Sequence, residues 1–203
     1  MENYKKNLQI LKKNHVYSEE MEHDACGVGL IASTEGKKSR KVVEYGIEAL
    51  KAVWHRGAVD ADGKTGDGAG IHVEIPKDFF IEKIEVTGHS YDNSEICVGM
   101  IFLPRNDYAA QESCKTIVES ELTKNDFSIY GWRQVPVNPK VLGEKAFQTM
   151  PEIIQVLFKS NNPELLNKDL ERKIYETRRI IENKAFQISL NNFYICSLSS
   201  KSI

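Results

Sequence analysis

Glu22-His23-Asp24-Ala25-Cys26-Gly27-Val28-Gly29-Leu30-Ile31 places a cysteine after a small residue and at the head of a short apolar run. Cleavage between Ala25 and Cys26 would make the cysteine the first residue. A thiol and a free α-amine would then share one residue. An α-amine has an unperturbed pKa near 8, so near neutral pH it can take the thiol proton. Nucleophile and base are then complete within a single residue. The competing reading is a buried cysteine packed as a small hydrophobe. The pattern around Cys26 alone leaves the two readings even.

The rest of the chain narrows the setting. It has 203 residues, 41% hydrophobic and 28% charged, which suits one globular domain with a sizeable core. A net charge of −2 gives no case for nucleic acid or for an anionic membrane surface. No apolar stretch approaches the roughly 20 residues of a membrane span. Residues 1–11 are Lys-rich and polar, without the apolar segment of a secretory signal. The expected setting is the cytoplasm, where thiols stay reduced. Cys26, Cys97, Cys114 and Cys196 show no C-x-x-C spacing, so neither a metal site nor a redox pair is expected. The last three lie in or beside apolar patterns and read as core fillers.

Residues 1–25 read as a polar leader with weak helical character over 7–13. Residues 29–32 read as a short buried strand. Ser39 is a plausible N-cap for a helix carrying Val42, Val43, Ile47, Leu50, Val53 and Trp54 at helical spacing, ended by Gly57. Residues 60–70 are too glycine-rich for regular structure. Ile71, Val73 and Ile75 alternate with polar residues as a half-buried strand does, and Pro76 closes it. A short helix around Phe79, Phe80 and Ile84 follows. Strands are expected over 96–103, 127–137 (irregular at Gly131), 152–158 and 193–198, and helices over 107–124 and 163–186. The long helix has a narrow apolar face at Leu170, Ile174, Arg178 and Ile181. Its Arg172-Lys173 and Arg178-Arg179 pairs alternate with Glu171, Glu176 and Glu182, which reads as a solvated, ion-paired surface. Mixed runs of strands and helices favour α+β over a doubly wound sheet.

Three segments carry the chemistry. Cys26-Gly27-Val28-Gly29 is followed by Trp54-His55-Arg56-Gly57-Ala58, then by Asp62-Gly63-Lys64-Thr65-Gly66-Asp67-Gly68-Ala69-Gly70. Gly63-Lys64-Thr65 imitates the end of a Walker A motif, but the required upstream glycine position holds Ala58, and Gly66 to Gly70 cannot open a helix. Nucleotide binding is rejected. The glycine loop reads instead as a tight turn that lets backbone approach the Cys26 strand. Asp67 can accept backbone hydrogen bonds there, and Asp62 and Lys64 can belong to an ordinary surface turn.

In order and spacing these segments resemble the start of the class II glutamine amidotransferase domain of the glutamate synthase large-subunit family. The resemblance covers residues 26–203 and about half of that domain. It implies an N-terminal-nucleophile α/β/β/α sandwich, incomplete at the C-terminus, preceded by a leader over 1–25. It implies that Cys26 attacks the side-chain amide of L-glutamine, releasing ammonia, and that Arg56 lies next to the nucleophile. Arg56 and His55 also fit the cation position at a helix C-terminus, and His55 is better read as structural. Gly66, Asp67, Gly68 and Gly70 would shape the site. The family's His-Gln-Arg and His-Asn-Gly segments, for substrate carboxylate and oxyanion, do not occur here; Asn191-Asn192 lacks the flanking His and Gly. The chain alone is therefore expected to be inactive without the remainder of the large subunit. The alternatives are a catalytically silent fragment with a structural or interaction role, a different N-terminal-nucleophile hydrolase, or a cysteine-bearing binding domain that keeps its leader. The family implies FMN and an iron–sulfur cluster in other parts of the whole enzyme, and no cofactor in this chain.

Overall fold

A computed structural model describes residues 2–14, 27–53, 59–66 and 68–203. The chain divides into two compact units, residues 1–57 and 58–203.

The first unit contains helices α1 (Glu2–Asn14) and α2 (Arg40–Ala52). Ser39 caps α2, its hydroxyl accepting from Lys41 N, as the sequence leads one to expect. The strand expected at residues 29–32 does not form. Among the described residues the segment has no strand partner, with Val28 95% and Leu30 88% exposed. An apolar run becomes a strand only when a neighbour accepts its backbone hydrogen bonds, and no hydrogen bond of that kind involves residues 27–32 among those described.

The second unit is built on a four-stranded sheet. Its elements run α3 (Lys77–Val86), β1 (Cys97–Leu103), α4 (Tyr108–Lys124), β2 (Phe127–Gln134), α5 (Glu144–Thr149), β3 (Glu152–Ser160), α6 (Asn167–Gln187) and β4 (Tyr194–Ser199). The strand order is β2-β3-β1-β4, and each neighbouring pair is antiparallel. This mixed α/β arrangement is not a doubly wound parallel sheet. Pro104 follows β1, and Asp107 caps α4 by accepting from Ala110 N at 2.9 Å. The irregularity expected at Gly131 is a β-bulge between Ile129 and Gly131, where Gly131 adopts φ +147°.

Alternation along the strands splits the core into two. On one face Cys97, Ile101, Leu103, Ile154, Val156 and Phe158 pack with Val118 and Leu122 of α4 and Leu170, Ile174 and Ile181 of α6. On the other face Val98, Tyr130 and Leu157 pack with Ile75 and with Phe80 and Ile84 of α3. The charged surface expected of α6 is only partly solvated. Glu171 accepts from Ser200 N and Oγ, each at 2.7 Å, and Arg178 Nη2 donates to Ile195 O at 2.7 Å. No helix among the described residues is long and apolar enough to cross a membrane.

Candidate functional site

Cys26, Arg56 and Asp67 lie outside the described residues, as do His55 and Gly57. The glycine loop around Asp67 is otherwise defined, and its base is a closed structure. Val59 and Gly66 form an antiparallel bridge, and Asp60 N donates to Thr65 O at 2.7 Å. Gly63 turns the chain at φ +67°, a conformation glycine adopts without steric cost.

Asp62 organises this base. Its Oδ1 accepts from Lys64 N at 2.9 Å and from Thr65 N at 2.7 Å, while Oδ2 accepts from Thr65 Oγ1 at 2.6 Å. Oδ2 also accepts from Glu144 N at 3.1 Å, the first N–H of α5. The α5 N-cap is Gly143, which has no side chain to satisfy that donor. Lys145, one residue further along α5, pairs with Asp60. The hydrogen bonds, led by the Thr65 hydroxyl, hold the Asp62 carboxyl down at about 2. It is charged throughout the neutral range.

Beyond the loop, Val73 N donates to Ile203 O at 2.9 Å, Ile203 N to Val73 O at 2.8 Å, and Ile75 N to Lys201 O at 3.0 Å. The expected strand at 71–75 is therefore a short pairing with residues 201–203, with only Ile75 buried. Gly68 and Gly70 lie between these two fixed ends. A Cβ at either would meet nothing within 4 Å, so close approach does not demand glycine at those positions among the described residues. The tight approach falls at Gly143, where a Cβ would meet Thr65 Oγ1, Asp62 Oδ2 and, at 2.5 Å, Thr65 N. A cleft of about 400 Å³ opens beside Gly70, lined by His72, Met100, Cys196, Ser197 and Ile203. The buried Ser197 Oγ has no hydrogen-bond partner there among the described residues.

Sequence reading placed Asp62 in an ordinary turn, and missed its reach to α5 and the close approach at Gly143. The signal for Asp62 was present: an Asp three residues before Thr65 can close a turn with its own carboxylate. Nothing local marks Gly143, because its partner lies about eighty residues upstream. Among the other cysteines, Cys97 and Cys114 are core residues as expected, and Cys196 is exposed. Burial pushes the Cys97 thiol well up and the Cys114 thiol to about 11, so neither supplies a thiolate at neutral pH.

Residues 26–203 match the family of class-II glutamine amidotransferases. The chain belongs to that family. It is 52% identical over 200 residues to the large chain of the NADPH glutamate synthase of Azospirillum brasilense, covering 98% of this chain and 13% of that protein. Over 197 residues it is 38% identical to ferredoxin-dependent glutamate synthase 2 of Arabidopsis thaliana, covering 95% of this chain and 12% of that one. A ferredoxin-dependent glutamate synthase of Pyropia yezoensis is 38% identical over 203 residues, covering 96% and 13%. The chain thus spans about an eighth of the length of these relatives.

Proposed function

We propose that this chain is the glutaminase part of a glutamate synthase, with residues 1–25 a removable leader and 26–203 part of the amidotransferase domain. The observation that carries the reading is the start of the family match, which falls on Cys26 itself. Its continuation through the His-Arg-Gly and Thr-Gly-Asp-Gly-Ala-Gly segments, in that order, supports it.

In this reading the α-amine of Cys26 takes the thiol proton, and the thiolate attacks the side-chain amide carbon of L-glutamine. The C–N bond breaks, the proton goes to the departing nitrogen, and ammonia leaves a γ-glutamyl thioester. Water then attacks the thioester, giving glutamate and the free thiol. Arg56 holds polar groups beside the nucleophile through its fixed fork of donors. The fold implied is the N-terminal-nucleophile sandwich, and the antiparallel sheet with helices α4 and α6 on one face supplies two layers that fit it.

In the whole protein the ammonia would pass to 2-oxoglutarate, which is then reduced to glutamate. The partners are L-glutamine and the rest of the large subunit, and the setting is the cytosol, where Cys26 stays reduced. The flavin and iron–sulfur cluster of the family would bind in other parts of the enzyme. The described cysteines do not fit a cluster, which needs several convergent thiolates: Cys97 and Cys114 are buried with raised pKa values and Cys196 is exposed.

The test is glutamine hydrolysis by the natural full-length protein, joined to its intact mass when expressed without an N-terminal tag. A species beginning at Cys26 that releases ammonia from glutamine, and loses that activity in Cys26→Ala at unchanged fold, is the expected result. Full turnover in Cys26→Ala, or turnover by a species that retains its leader, would overturn it.

A further inference from the structure

A further cleft, of about 370 Å³, opens in the second unit beside the N-terminal end of α4, and its described walls lie between residues 105 and 154. Two opposite charges line it without closing on each other. Arg105 is half-buried, and its guanidinium lies over the Phe147 ring of α5, 4.6 Å from the centroid. Stacking covers a flat face of the guanidinium and leaves its in-plane N–H donors free. Glu152, at the start of β3, is also half-buried. Its Oε1 accepts from Gln134 Nε2 at 2.5 Å. Among the described residues no carboxylate pairs with Arg105 and no cation pairs with Glu152. A charge drawn partly out of water gains from an opposite charge close by, and here the two stand in one cleft unpaired.

The other walls narrow what could bridge them. Lys115 is already neutralised by Glu112 at 2.8 Å. Arg133 borders the cleft, but its guanidinium is engaged by Gln155 at 2.8 Å and by the Phe79 ring. Gln111 is only 8% exposed. Its Nε2 donates to Pro104 O at 2.8 Å and to Arg105 O at 3.1 Å, which fixes the turn that carries Arg105. Its Oε1 receives no donor among the described residues and is left as an acceptor. Trp132 packs against the core, and its indole N–H is held by Glu119 at 2.6 Å. With Ile154 it gives the cleft an apolar wall. A simple anion would be repelled by Glu152, and a simple cation by Arg105. A molecule that carries both charges a few atoms apart satisfies both.

We propose that this cleft binds a free α-amino acid with an apolar side chain. Its carboxylate lies on the Arg105 guanidinium, its ammonium on Glu152 and Gln111 Oε1, and its side chain against Trp132 and Ile154. The site does not rest on the glutaminase reading, since none of the residues given a role in that reaction takes part in it.

The test is a titration of the isotope-labelled 203-residue chain, followed by NMR at the Trp132 indole N–H, a signal assigned by its loss in Trp132→Phe. The probe is L-phenylalanine, compared with phenethylamine, which keeps only the ammonium, and hydrocinnamate, which keeps only the carboxylate. Phenylalanine should shift the signal saturably. Each one-charge analogue should bind at least about tenfold more weakly, the loss of one contact to a charged group. Arg105→Gln should weaken phenylalanine and hydrocinnamate by about tenfold and leave phenethylamine no weaker. Glu152→Gln should weaken phenylalanine and phenethylamine and leave hydrocinnamate no weaker. No saturable shift with phenylalanine, or analogues that bind the wild type as tightly as it does, would overturn the site without recourse to any variant. Equal losses for all three molecules in both variants would overturn the roles given to Arg105 and Glu152.

Discussion

At Gly99 the sheet has no room for a side chain. The residue pairs with Val156 of β3 on one side and Leu198 of β4 on the other. A Cβ there would meet Leu198 Cδ1 at 2.6 Å and Val156 Cγ1 at 2.7 Å. Gly99→Ala should therefore overpack the core beneath α4 and α6 and cost about 1–3 kcal/mol. Thermal unfolding followed by circular dichroism would show a fall of several degrees in Tm; an unchanged melt would mean that the two side chains can swing aside. Asp92 makes a contribution of a different kind, visible only in acid. Its carboxylate pairs with Lys159 and accepts from Tyr130 OH at 2.9 Å and Ser94 N at 3.2 Å. The hydrogen bond from Lys159 is the first cause holding it well below the ordinary value of 3.8. A depressed carboxyl stabilises the fold above its unfolded pKa, and that stabilisation is lost as pH falls below it. Asp62, held at about 2, follows the same sign, and because both residues are exposed, the Asp92 side chain by 45%, solvent weakens the share of each. Urea midpoints measured from pH 2 to 7 should fall below about pH 4 in the wild type and by slightly less in Asp92→Asn. Equal slopes would rule out Asp92 as a source of the acid transition.

Helices α4 and α6 are joined by an ion cluster that is unequal on its two sides. Glu121 of α4 is 4% exposed, and accepts from Lys184 of α6 at 2.6 Å and from Lys124 at 3.0 Å. The hydrogen bond from Lys184 leads the causes that lower its pKa. The lysines still reach water and the carboxylate scarcely does. Lys184→Met should therefore leave an under-satisfied buried charge, costing about 1–3 kcal/mol, while Glu121→Gln keeps an acceptor, buries no charge and should cost less. Equal losses in chemical denaturation would show that Lys124 alone satisfies the carboxylate. This scale is also where sequence reading worked best. Each strand and helix expected between residues 96 and 198 is present, with ends shifted by a few residues, because β-branched runs and capped amphipathic helices carry their own local signal. At residues 29–32 it fails, because apolar content alone does not supply a strand partner. It also took Glu171 for a solvated charge, since the Ser199 and Ser200 groups it holds lie 28 and 29 residues away in the chain. The family was legible as an order of motifs. The contact between Asp62 and α5 was not, because a hydrogen bond spanning 82 residues leaves no periodicity to read.

Across the whole molecule the sheet order sets where resistance to opening is greatest. β3 and β1 are the inner strands, and their partners β2 and β4 each carry a register shift. The inner pair also touches both cores. Cys97, Ile101 and Val156 face the helices, while Val98 and Leu157 face α3, all of them fully buried. An amide on an inner strand exchanges only when hydrogen bonds and apolar packing on both faces are lost together, so its opening free energy approaches that of global unfolding. The base of the glycine loop has one short bridge and turn hydrogen bonds at exposed residues. Its amides should open locally at far lower cost. Native-state hydrogen exchange should therefore rank β1 and β3 slowest, β2 and β4 next, then residues 59–66. Added denaturant should speed exchange in β1 and β3 strongly and in residues 59–66 little, because only the former expose buried surface on opening. Protection at 59–66 equal to that of the inner strands would mean that the loop belongs to the cooperative core. In that case Asp62 would report on global stability, and its substitution would shift the melting temperature.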